Sequence, residues 1–142
     1  MINNILPCNK NLTKWRIIND EKCPVCNLTH NIVHMLYECC HSRRLWATVS
    51  ATLGINVSTD KILVGCQNQS ETTVISIISF LIYKLYIRRE TENAYVNWKN
   101  DFHFFLREIR HKIRIYSNCK NIKNILPKLQ ALTMGIIAII QS

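Results

Sequence analysis

Apolar residues change their spacing along this chain, and each spacing predicts an element. Leu45, Trp46, Val49 and Leu53 recur at helical intervals, with Ser42 placed to cap the start and Gly54 to follow the end. Residues 71–89 are apolar nearly all round. Their many β-branched side chains would also suit a buried strand, but the length of the run favours a helix, and Ser70 is a reasonable N-cap. The clearest pattern follows. Tyr95, Trp98, Phe102, Phe105, Ile109 and Tyr116, joined by Leu106 and Ile113, form one stripe at about 100° per residue. Arg107, Arg110, His111 and Arg114 fall at i, i+3, i+4 and i+7 and make a second stripe nearly opposite the first. Residues 125–141 read as a last apolar helix, with Pro127 near its first turn.

The other segments are less regular. In residues 1–22, Leu12, Trp15, Ile17 and Ile18 lead to an acidic turn at Asp20–Glu21, and nothing in "INNILPCNK" resembles a domain start. The stretch "INVSTDKILVGCQNQS" is polar apart from a short β-like run at Ile62–Val64. The chain thus divides into residues 1–54, a connector at 55–69 and a basic helical segment at 70–142, with no internal repeat. Glycine and proline number three each, which also favours long helices over a turn-rich β fold. Hydrophobic residues make up 48% of the 142 positions, enough for a real core. The best membrane candidate, Val74–Ile87, is 14 residues long and interrupted by Lys84, whereas a span needs about 20 apolar residues. No membrane partner is therefore expected.

Charge changes the picture. The formal net charge is +9, and such a surplus points to polyanions, nucleic acid first. Residues 84–142 hold 11 Lys/Arg against 4 Asp/Glu, a net of +7, and residues 1–83 hold 7 against 5, a net of +2. Seven cysteines, an odd number, occur with no secretory signal at the start of the chain. Disulfides are thus disfavoured and an intracellular, reducing compartment is expected.

Four of those cysteines and two histidines crowd into "CPVCNLTHNIVHMLYECC", residues 23–40. Zinc takes four thiolate or imidazole ligands in a tetrahedron, and a Cys-x2-Cys turn aims two sulfurs at one point. Cys23-Pro24-Val25-Cys26 fits, with Pro24 stiffening the turn. The second pair can be His34 with Cys39, His34 with Cys40, or His30 with His34. The last choice leaves only three residues between Cys26 and His30 for the chain to reverse. Without a metal, these would be buried thiols and ordinary surface histidines. A Cys-x-x-Cys redox site would usually follow a strand in a βαβ unit, and none is visible. A shell of three cysteines and one histidine is closed to water, so one structural Zn2+ is expected rather than a catalytic one. The fold expected is mainly α: a small structural zinc-binding module followed by a bundle of about four helices.

The segment "KWRIINDEKCPVCNLTHNIVHMLYECCHSRRLW" resembles the zinc-binding segment that follows the reverse transcriptase domain in non-LTR (LINE-type) retrotransposons. Trp15, Cys23-Pro24-Val25-Cys26, His34-Met35-Leu36, Cys39 and Leu45-Trp46 occur in the family's order, over roughly residues 12–46. "YKLYIRRE" more weakly resembles the helix that comes next. The resemblance selects Cys23, Cys26, His34 and Cys39 as ligands, in the spacing Cys-x2-Cys-x7-His-x4-Cys, and makes His30 and Cys40 bystanders. It implies a non-catalytic C-terminal region, nuclear by analogy, that holds template RNA or target DNA beside a reverse transcriptase domain in cis or trans. Two departures limit it. The loop from Cys26 to His34 lacks the glycine and aromatic residues of a nucleocapsid knuckle, so base stacking there is not implied. No Tyr/Phe-x-Asp-Asp motif or endonuclease-like carboxylate cluster occurs, so no enzyme activity is expected of this chain.

The expected nucleic-acid surface is the stripe of Arg107, Arg110, His111 and Arg114, with Arg88, Arg89 and Lys112 nearby in sequence, tracking phosphates rather than reading bases. Arg43 and Arg44 are a second candidate. A solvated helix face opposite a core stripe is the plain alternative. Trp98, Phe102 and Phe105 could stack on bases, but their spacing suits a core better, and Trp46 reads as a plug behind the zinc turn. Rival functions are a zinc-scaffolded protein-interaction module docking through Val74–Ile87, and a relic reading frame.

Overall fold

The computed structural model describes residues 8–17, 19–20, 22–23, 26–92, 98–119 and 124–142. Pro24, Val25 and Tyr95, and the side chains of Arg89 and Trp98, lie outside the described residues. The chain is mainly helical, with no strand among the described residues. Its α-helices are α1 (Asn9–Lys14), α2 (Cys40–Leu53), α3 (Thr59–Leu63), α4 (Gln69–Glu92), α5 (Trp98–Tyr116) and α6 (Leu126–Gln141), with a π-helical turn at His34–Glu38 before α2. A Cys/His cluster that could hold a metal ion thus precedes a helical bundle.

The long helices form where the apolar spacing predicts them. On α5, Phe102, Phe105, Leu106 and Ile109 are buried, and the opposite side carries exposed Arg107, Arg110, His111 and Arg114. Pro127 sits in the first turn of α6, where a missing N–H costs nothing. Gly54 follows α2 with a left-handed φ of 66°, and its N–H donates to the Ser50 carbonyl. Two caps differ from expectation. Cys39, not Ser42, stands at the N-cap of α2, and the Ser42 hydroxyl is buried and donates to the Met35 carbonyl at 2.6 Å. For α4, Asn68 rather than Ser70 caps the start, its Oδ1 accepting from Glu71 N–H at 3.2 Å. The β-like run at Ile62–Val64 is instead the end of α3, a short helix capped by Ser58 through the Lys61 N–H. Local propensity there yields to the cap and to burial of Ile62 against the core.

Buried residues of the first segment, the connector and the helical segment join one continuous core. Leu36, Trp46 and Val49 belong to it together with Ile62 and with Ile78, Phe105 and Leu132. Helix α6 closes on both α5 and α2. Against α2 it approaches at Gly135, where a Cβ would stand 2.5 Å from Thr52 Oγ1. Residues Gln69–Arg88 of α4 have the length and apolar composition to cross a bilayer, more than the 14-residue run indicated. Here Val74, Ile75, Ile78 and Leu81 are buried in the chain's own core.

Candidate metal centre and basic cleft

The first two candidate ligands come from a tight hairpin. Lys22 and Thr29 form an isolated antiparallel bridge. Inside it, Cys23 N–H donates to the Leu28 carbonyl at 2.7 Å and Asn27 N–H donates to the Cys23 carbonyl at 2.8 Å. Asn27 takes a φ of 57°, a left-handed conformation that asparagine tolerates better than most residues. The reversal brings Cys26 back beside Cys23. Lys10 N–H donates to the His30 carbonyl at 2.9 Å and ties α1 to the end of this hairpin.

The other two candidate ligands are His34 in the π turn and Cys39 just after it. Asn31 precedes the turn, its Oδ1 accepting from His34 N–H at 2.8 Å. Cys39 N–H then donates to the His34 carbonyl at 2.8 Å, five residues back. At α pitch, residues five apart point about 140° away from each other. The wider π turn draws them toward one side, and such single turns recur at functional sites. Carbonyls left over at the end of this turn find partners on α2: Ser42 Oγ takes Met35, and Trp46 Nε1 donates to Leu36 at 2.6 Å. Trp46 is buried behind the turn.

The outcome is one compact donor set. The ligand atoms of Cys23, Cys26, His34 and Cys39 all lie within 4.8 Å of one another. Cys39 Sγ is 4.0 Å from Cys23 Sγ and 3.9 Å from Cys26 Sγ. Sulfurs about 2.3 Å from one tetrahedral ion lie ~3.8 Å apart, so the spacing fits a shared metal ion. A second observation agrees. Both ring nitrogens of His34 are buried, and neither has a hydrogen-bond partner among the described residues. Such a group costs about 1–3 kcal/mol unless something binds it, and a metal ion would do so.

Electrostatics point the same way. Burial pushes the Cys26 thiol up from its usual value. The hydrogen bond with Cys23, and then burial, push the Cys39 thiol up as well. Crowded thiols resist becoming thiolates unless a cation joins them. Local amides favour that cation-bound form. Cys40 N–H donates to Cys26 Sγ at 3.5 Å, and Cys39 stands at the positive N-terminal end of α2.

The remaining two of the six candidates lie outside this set. Cys40 is exposed and stands outside the four-residue set, with its backbone N–H donating to Cys26 Sγ. His30 is no surface residue. It is buried, meets His34 edge-on with ring centroids 5.7 Å apart, and stacks on Tyr86 of α4 at 4.7 Å. It packs the cluster against the bundle, a contact that sequence spacing alone gave no means of seeing.

The arginine stripe forms one wall of an open cleft of about 610 Å³. Arg107, Arg110, His111 and Arg114 line it together with His103 and, from α4, Lys84. His103 lies four residues before Arg107 and was legible in principle, but Lys84 joins only through packing. Glu108 also lines the cleft and pairs with Lys84 at 2.9 Å, offsetting part of the positive charge. Arg88 and Arg107 both approach the Phe104 ring, at 5.2 and 5.3 Å from its centroid. Lys112 instead points toward Phe80 and Tyr116. Phe102 and Phe105 are buried in the core and offer no stacking face. Arg43 and Arg44 are exposed on α2. No protein-family model matches this chain, and no curated protein or solved structure gives a match.

Proposed function

We propose that this chain is a non-catalytic, zinc-stabilised nucleic-acid-binding region, of the kind that follows the reverse transcriptase domain in non-LTR retrotransposons. Zinc suits the site because its donors are three thiols and one imidazole. Such a shell is closed, so Cys23, Cys26, His34 and Cys39 would hold an ion that supplies folding energy and leaves no position for substrate. The observation that carries the binding role is the cleft, where cationic side chains from two helices converge on one open surface. Arginine and lysine on such a surface neutralise phosphates, of template RNA or of target DNA.

The rival role as a protein-docking module finds less support. Val74, Ile75, Ile77, Ile78, Leu81, Ile82 and Leu85, most of the face it would use, are already buried. A gel-shift titration of zinc-loaded protein in rising salt tests the reading. Binding at low salt that weakens log-linearly with salt is the expected result. No binding of RNA or DNA even at low salt would refute it.

A further inference from the structure

We propose that Phe80 is a base-stacking platform beside the basic cleft, and that the ligand held there is a single-stranded nucleic acid. This rests on the nucleic-acid reading above and narrows it.

Phe80 is 50% exposed on α4, a helix whose neighbouring Ile78, Leu81 and Ile82 are buried. One exposed apolar residue is common and signifies nothing alone. Its surroundings set this one apart. Lys84 Nζ lies 5.8 Å from the centroid of the Phe80 ring, and Lys112 Nζ lies 5.7 Å from it. Lys84 also lines the arginine cleft. The ring therefore adjoins the cationic surface, with Lys84 common to both. Phe80 also borders an open groove between α3 and α4, shared with Tyr83. The ring has cations within reach and space beside it for a flat group.

That combination is what single strands require. Their bases have free π faces, and proteins hold them with aromatic platforms next to cations that track the backbone. Bases within a duplex are already stacked on one another and offer an exposed side chain no face. Lys84 and Lys112 carry their charges on flexible stems. Lys112 can turn to a phosphate and leave the ring to a base, and Lys84 can do so by exchanging its pairing with Glu108.

The test is fluorescence anisotropy on the zinc-loaded full chain, with labelled oligo-U and oligo-dT of about 15 nucleotides and with duplexes of the same length. Phe80→Ala, at an exposed position, and Phe80→Trp are compared with the unaltered chain. The expected result is a loss of roughly tenfold or more in single-strand affinity for Phe80→Ala, retention by Phe80→Trp, and unchanged duplex binding. The slope of affinity against salt should not move, because no charge is removed. If Phe80→Ala binds single strands as well as the unaltered chain, the stacking proposal fails while the nucleic-acid reading stands. Equal losses for duplex and single strand also overturn it. If the unaltered chain binds neither, both readings fall together.

Discussion

His41 Nδ1 lies 2.9 Å from Asp101 Oδ2, joining the first turn of α2 to the first turn of α5 across 60 residues of sequence. Both side chains are largely shielded from solvent, at 11% and 12% exposure. One end of this contact is two residues from Cys39, and the other begins the helix that bears the arginines. Asp101→Ala strands the imidazole and should cost about 1–3 kcal/mol. Urea unfolding of the zinc-loaded protein measures it. A midpoint matching that of the unaltered chain would show the contact to be energetically idle.

Metal retention should separate Cys23, His34 and Cys39 from Cys40. Cys23→Ser, Cys39→Ser and His34→Ala are each expected to lose the bound zinc and the fold around it, since the binding free energy of such a site is folding free energy. Cys40→Ser should keep about one zinc per chain. Zinc content by atomic emission, read beside circular dichroism, checks both. A fully folded, metal-free purified protein would contradict the assignment.

Zinc uptake should release protons. With the Cys26 and Cys39 thiols held above the usual value near 9, both are protonated at neutral pH until a cation displaces the protons. Affinity therefore falls as pH falls. Calorimetry of zinc binding in two buffers of different ionisation enthalpy reads the protons released. Identical heats in the two would mean that none are released.

The cleft predicts a graded salt response. Arg110→Ala and Arg114→Ala each remove one exposed charge far from the core. Each should weaken binding across sequences alike and reduce the salt slope by about 0.7–0.9, the share of one phosphate contact. Gel-shift titrations at several salt concentrations give the slope. An unchanged slope in the double variant places the interface elsewhere.

Much of this architecture was legible because its signals are periodic or chemically specific. The α5 stripe repeats over five turns, and the Cys23–Cys26 pair is followed within 13 residues by a histidine and a third cysteine. What escaped depends on single residues or on packing. The π turn differs from an α turn by one residue of pitch, which no pattern of apolar positions marks. Helix α3 is too short for periodicity, and its β-branched and aliphatic run mimics a strand. Phe80 lies in a run that is apolar on every side, so nothing in the spacing shows which side faces water. Lys84 and His30 take their places through contacts between distant segments.

The single core makes the Cys/His corner and the helices one cooperative unit. A chain severed between Gly54 and Gln69 would bare Leu36, Leu45, Trp46 and Val49 on one side and Ile78 and Leu132 on the other. This cluster is a corner of a helical body that shares one core, so its candidate ligands and its helices depend on each other, and mutation of Cys23 or His34 should be felt as far as α6.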